Sequence, residues 1–224
     1  MPGEFRTYTG QWINTLSPML DEITINDIAH SLALQCRFRG HCQYFYSNAQ
    51  HSLLCVEIGG ILDVSYVELA YLLLHDACES YLGDSITFDK KYEGYTDERD
   101  EVLTPKRARE EAVTRRILLR LYPGVPMTEW SKCLLMDHKA HDYAADLELR
   151  TIMKHPVEQS PHPWLYDERR GASMFEQIDG TRFHPKRVEN QYRMELIEYE
   201  FLQMYTRIKE LLAKAGSKKC QVRT

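Results

Sequence analysis

A histidine followed at once by an aspartate, His75-Asp76, ends the apolar run Leu69-Ala-Tyr-Leu-Leu-Leu74. Burying an imidazole beside a carboxylate costs free energy unless something satisfies both. A divalent cation does so: nitrogen and carboxylate oxygen together suit Mn, Fe, Co, Ni or Zn, and Mg takes oxygen ligands. Two ligands hold an ion poorly. His51 lies 24 residues earlier (75 − 51), and Asp146 lies 70 residues after Asp76 (146 − 76) in Tyr143-Ala-Ala-Asp-Leu-Glu-Leu149. Three helices could present His51, His75, Asp76 and Asp146 to one point, as bundle cores do. Spacing alone leaves a bland alternative open, a chance His-Asp pair with core histidines satisfied by hydrogen bonds. His41, and His138 or His141, are candidate additional ligands, with surface placement the plainer reading of each. Glu79 follows Asp76 by three residues, so on a helix it shares that face. Its alternative is a solvated charge at a helix end.

These residues need helices to hold them. Asp21 to Cys36 reads helical, capped by Thr24 or Asn26, with Ile25, Ile28, Ala29, Leu32 and Ala33 recurring at three, four and seven. Residues 37–41 break the pattern as a loop. Ser47 caps a helix running to Leu62, with Gly59-Gly60 expected to fray its end. Val64 to Tyr81 is apolar nearly all round and belongs mid-domain, stopped by Gly83. Residues 84–103 read as an exposed loop. Pro105 opens a helix to Tyr122, and Thr128 or Glu129 to about Met153 forms one helix or a pair. Residues 155–185 are irregular, with Trp164 and Tyr166 available to stack on a base. Residues 187–214 form a last helix with the stripe Val188, Tyr192, Leu196, Tyr199, Leu202. Core packing is the first explanation of that stripe, a homo-oligomer interface the second. Residues 1–20 read as an extended arm or turns, and no segment shows strand alternation with turn signals. The expected fold is all-α, one domain over residues 1–224, with its motifs inside about 21–153.

Composition narrows the function. Hydrophobic residues make up 43% and charged residues 27% of 224, enough for a packed core and against disorder. A net charge of −5 argues against a nucleic-acid polymer as partner, since duplex binders carry a basic stripe. Small phosphorylated ligands remain open, because a metal or a few local cations bind them. No stretch approaches the roughly 18 apolar residues of a membrane span, and MPGEFRTYTGQW lacks a signal-peptide pattern. Of the six cysteines none forms a CxxC pair, so reduced core thiols in the cytoplasm are expected.

The order His51 … His75-Asp76 … Asp146 resembles the H…HD…D signature of the HD-domain metal-dependent phosphohydrolases. Further strings share the likeness. Arg37-Phe38 followed by Tyr46-Ser-Asn-Ala-Gln-His51-Ser resembles that family's arginine-aromatic and S-x-x-[EQ]-H-S entry. His75-Asp-Ala-Cys-Glu79-Ser-Tyr-Leu-Gly83-Asp84 is similar to the H-D-x-x-E-x-x-x-G-D string of the bacterial HD 5′-deoxynucleotidases, and to strings of phage dATP triphosphohydrolases. Tyr8-Thr-Gly-Gln-Trp12 and Asp27-Ile-Ala-His-Ser-Leu32 also look like the phage members. The resemblance covers about residues 8–153.

The resemblance implies an HD helical bundle holding one divalent ion on His51, His75, Asp76 and Asp146. It implies that Glu79 orients or deprotonates the attacking water, that Arg37 clamps phosphate, and that Phe38 packs against the sugar. Phe38 stands where the deoxynucleotidases carry tryptophan, keeping the bulk without the indole N–H. Asp84 would reach the nucleoside. Their proline-containing stretch is replaced by Ser85-Ile-Thr-Phe-Asp-Lys90-Lys91, where Lys90 or Lys91 would approach a phosphate tail. The expected activity is hydrolysis of a 2′-deoxynucleotide: deoxynucleoside plus triphosphate from a dNTP, dATP favoured, or plus phosphate from a dNMP. Another phosphoester substrate and a non-catalytic nucleotide-binding module are the competitors. A homo-oligomer without membrane or polymer partners is expected, in the cytoplasm, or the host's cytoplasm for a phage protein.

Overall fold

The computed structural model describes residues 4–14, 18–83, 105–136, 138–153 and 194–221, with side chains throughout except at 105–107, 150 and 216–221. Asp84, Lys90, Lys91, the 84–103 loop and the 155–185 segment with Trp164 and Tyr166 lie outside the described residues.

The N-terminal arm is a small antiparallel hairpin, where the sequence led us to expect no strand. β1 (Glu4–Arg6) pairs with β2 (Trp12–Asn14), Phe5 opposite Ile13. Strands of three residues are too short for alternation to register. Gly10, at φ +89, supplies the left-handed turn conformation. Ile13 plugs into the core, and Trp12 faces out. Asp27 latches the hairpin to α1 (Ile25–Leu34): its carboxylate accepts from the Thr9 amide at 2.7 Å, the Thr9 hydroxyl at 2.8 Å and the Thr24 hydroxyl at 2.7 Å. Burial pushes the Asp27 pKa up, but these donors outweigh it and leave the pKa below the usual value of 3.8. A depressed folded-state pKa adds stability above the unfolded value, lost as pH falls through the folded one. Urea midpoints should therefore drop below pH ~4 in the wild type, and Asp27→Asn should flatten that drop. Equal acid sensitivity in both proteins would contradict the latch.

Thr24 caps α1 by accepting from the Asp27 amide. Residues Arg37–Gly40 form a tight turn in which Phe38 (φ 54) and Arg39 (φ 52) are both left-handed. That conformation costs a non-glycine residue about 1 kcal/mol or more, so the loop holding Arg37 is strained. Ser47 caps α2 (Asn48–Ile61) in a capping box with Gln50. Gly59 and Gly60 lie inside α2 and do not fray it. A Cβ on Gly59 would sit 2.8 Å from Leu72 Cδ1 and 2.9 Å from Leu69 Cδ2, so this glycine lets α3 (Tyr66–Leu74) approach closely. Gly59→Ala should cost about 1–3 kcal/mol by overpacking, read as a lowered denaturation midpoint, because Leu72 is fully buried and cannot yield.

The helix expected over 64–81 stops at Leu74. Three-residue hydrogen bonds then tighten the chain, from the amides of Ala77, Glu79, Ser80 and Tyr81 to the carbonyls of Leu74, Asp76, Ala77 and Cys78. The short α4 (Glu79–Leu82) follows and ends at Gly83, φ +79. Next come α5 (Pro105–Leu121), α6 (Met127–Leu135), α7 (Lys139–Thr151) and α8 (Met194–Gln221). The segment after Pro126 is thus a helix pair. α8 runs past the expected end and buries Ile197, Phe201, Tyr205 and Ile208. Of the expected stripe, Leu196 and Tyr199 face outward, Leu202 packs at the core edge, and Val188 and Tyr192 lie outside the described residues.

The described residues are mostly helical. α2 packs on α3 and α7, and α8 lies across α1 and α3. One apolar cluster runs from Ile13 to Ile208. Among the described residues no helix is long and apolar enough to cross a membrane.

Candidate metal centre

α2 carries His51 one turn inside its cap, fully buried. The end of α3 carries His75, and the tightened turn carries Asp76. His51 Nε2 lies 3.2 Å from His75 Nε2 and 3.9 Å from Asp76 Oδ2, and His75 Nε2 lies 3.2 Å from that same oxygen. Three potential ligand atoms thus form a small triangle. Its two 3.2 Å edges suit donors about 2.1 Å from one ion, which lie about 3.0–3.4 Å apart in octahedral or tetrahedral sites, and the 3.9 Å edge between His51 and Asp76 is longer.

The opposite edge of each imidazole is occupied. His51 Nδ1 lies 2.6 Å from Glu148 Oε1, and His75 Nδ1 lies 2.7 Å from the Leu72 carbonyl. Both partners are acceptors, so each ring carries a proton on Nδ1 and turns its Nε2 toward the triangle. Burial, then Arg37, lower the His51 pKa to about 4 against the pull of Glu148, so this ring stays neutral and ligand-ready at neutral pH. Burial opposes the charge on Asp76, but His75, His51 and Arg37 outweigh it and hold the carboxylate well below its usual range.

Arg37 closes one side. Its amide donates to the Tyr46 carbonyl at 2.8 Å, which ties the strained turn to the start of α2. Its Nη1 lies 3.2 Å from Asp76 Oδ2, and its Nε 3.3 Å from Glu148 Oε2. Burial works against the guanidinium charge, and Glu148 and Asp76 more than restore it, so it stays cationic. Glu148 also accepts from the Tyr46 hydroxyl at 2.9 Å. Burial raises the Glu148 pKa, yet Arg37 and His51 win and bring it to about 2.

α7 supplies His141, whose ring centroid lies 5.3 Å from that of His51 and 5.2 Å from that of His75. His51, His75 and His141 together could hold a metal ion. His141 and Glu148 are seven residues apart, about 20° around the helix at 3.6 residues per turn. Asp146, the residue expected from α7, is buried there but stands about 140° from His141 on the same count. His141 is therefore the α7 member of the histidine cluster. His138 instead pairs with Glu68 at 3.2 Å, away from the centre. Cys55, one turn after His51, brings its sulfur within 3.5 Å of His51 Nε2, and burial holds it as a thiol.

The structure thus brings together His51, His75, Asp76 and Arg37 from the expected set with His141, one of the candidate additional ligands, and adds Glu148. Phe38 places its ring under the Arg37 guanidinium, 5.3 Å away. Glu79 is buried, and its Oε2 accepts from Asn48 at 2.7 Å. In a three-residue turn, positions i and i+3 eclipse, so Asp76 and Glu79 share a face although the α-helix has ended. The one readable sign of Glu148 is a carboxylate between two leucines in Leu147-Glu-Leu149.

No protein-family model matches the chain. Over 80 residues it is 41% identical to the uncharacterized protein YfdR of Escherichia coli (strain K12), covering 35% of this chain and 42% of YfdR. Over 86 residues it is 42% identical to an uncharacterized protein of Rhodobacter capsulatus, covering 37% of this chain and 44% of that protein. The chain thus matches less than half the length of either relative.

Proposed function

We propose that this protein is a divalent-metal phosphohydrolase of HD type that acts on 2′-deoxynucleotides, with dATP the favoured substrate. The observation that carries the reading is the pair of Nδ1-locked histidines, whose Nε2 atoms meet Asp76 Oδ2 within 3.9 Å. A divalent ion held by His51, His75 and Asp76, with His141 beside them, would act as a Lewis acid on a phosphate oxygen. His51 and His75 bring Nε2 atoms already oriented by the bonds at Nδ1. Arg37 has five N–H donors, of which two face Asp76 and Glu148, leaving others for phosphate oxygens. Glu79 would accept a proton from water as the water oxygen bonds to the α-phosphorus and the bond to the sugar O5′ breaks, and a proton returned from Glu79 or from solvent would complete the O5′ hydroxyl. The products are the deoxynucleoside and triphosphate. The substrate class rests on the likeness of the Arg37-Phe38 and His75–Asp84 strings to deoxynucleotide hydrolases. A homo-oligomer is part of this reading, and the exposed Leu196 and Tyr199 on α8 are the residues it would cover.

Product chromatography tests this. Each dNTP, dNMP and matching ribonucleotide is incubated with Mn²⁺ or Co²⁺, with and without chelator. Deoxyadenosine and triphosphate, lost in chelator, are expected. Deoxynucleoside from monophosphates alone would change the substrate to dNMPs with the same site, and no product from any nucleotide would overturn the reading. Glu79→Gln should lower kcat by about 10²–10⁴ while metal affinity holds, measured by calorimetry.

A further inference from the structure

We infer that Asn48, braced by Gln35, is the positioning residue for Glu79; this rests on the hydrolytic reading above. Asn48 is the first residue of α2 and has no exposed surface. Its Nδ2 donates to Glu79 Oε2 at 2.7 Å, short for an amide donor and typical of a hydrogen bond to an ionised carboxylate. The same Nδ2 donates to Gln35 Oε1 at 3.3 Å. Both neighbours are acceptors, so the amide can present only its nitrogen to them.

Gln35 grips the pair from both ends. Its carbonyl accepts from the Asn48 amide at 3.1 Å, and its Nε2 donates to the Glu79 carbonyl at 3.0 Å and to Ser31 Oγ at 2.9 Å. The Glu79 side chain and its backbone are thus held by two side chains that touch each other.

The register of α2 against the turn gives this brace its purpose. Asn48 and His51 are three residues apart on α2, and Asp76 and Glu79 are three apart on the turn. Asn48 meets Glu79 where His51 meets Asp76, one helical step away. Asn48 therefore sets how the Glu79 carboxylate faces a reactant beside the histidine–aspartate triangle. Its Oδ1 is buried without a hydrogen-bond partner. That oxygen is the one polar atom of the Asn48 amide left over once its nitrogen is committed to Glu79 and Gln35.

The test is a double-mutant cycle on the nucleotide that the wild type turns over best. Asn48→Leu keeps the volume and removes the donor. We expect kcat to fall about 10- to 100-fold, as for a misplaced catalytic group, with KM and Mn²⁺ affinity within about twofold. In a Glu79→Gln background, Asn48→Leu should cost nothing further, because the two act as one unit. Full kcat in Asn48→Leu, or additive losses in the double variant, would overturn this inference and leave the hydrolytic reading standing. A wild type without turnover on any nucleotide would overturn both. If Asn48→Leu fails to fold, Gln35→Met in the same cycle is read in its place, with the same outcomes deciding.

Discussion

Asp76→Ala should bind no divalent ion tightly and should lose activity by a factor on the order of 10³ or more, since a Lewis acid contributes several kcal/mol. Asp76 is the one carboxylate in the triangle, and its Oδ2 faces both Nε2 atoms and Arg37 Nη1. Two imidazoles beside an arginine make a poor cation site once that charge is gone. Thermal shift separates metal loss from misfolding. A ligand that binds only the folded state adds about 2.7 kcal/mol at a hundred times its Kd, so Mn²⁺ should raise the wild-type Tm. The Asp76→Ala protein should melt cooperatively with no such rise. Equal Mn²⁺ shifts in the two proteins would remove Asp76 from the ligand set.

Glu148 should prove nearly as costly to change. Glu148→Leu strands the buried Arg37 guanidinium and the His51 Nδ1–H, and losing one partner of a buried ion pair costs about 3–5 kcal/mol. Glu148→Gln keeps the shape and drops the charge. Its amide can present N–H to His51 Nδ1, which would move the ring proton to Nε2 and remove the lone pair a metal needs. Metal affinity should fall about 10- to 100-fold, the usual effect of losing a histidine's carboxylate partner. Calorimetric titration of Mn²⁺ into both variants measures it, and unchanged affinity in Glu148→Gln would show that the tautomer is not held by this carboxylate.

Much of this centre is legible along the chain, and the illegible part has identifiable causes. His75-Asp76 stands out because two polar groups end an apolar run, and the cap at Ser47 fixes where His51 faces. Thr24, Ser47 and Pro105 mark helix starts as their chemistry dictates. The three-residue turn at 75–78 stays hidden, because the hydrophobic pattern there runs on without a glycine or proline. The hairpin is hidden by its short strands. On α7 the periodicity offers Asp142, Asp146 and Glu148 as rival carboxylates, and only packing against α2 singles out Glu148 beside His51. Gly59 looks like a helix breaker by composition and serves as a contact point, which only its neighbour across the interface reveals.

The most direct test of the central claim is metal content with equilibrium dialysis against Mn²⁺ and Co²⁺. It would compare the wild type with His51→Ala, His75→Ala and Asp76→Ala. One ion per chain in the wild type is predicted, with weak or absent binding in all three variants and retained helical circular dichroism. A wild type that binds no ion, or three variants that bind as it does, would contradict the assignment of these residues to a metal.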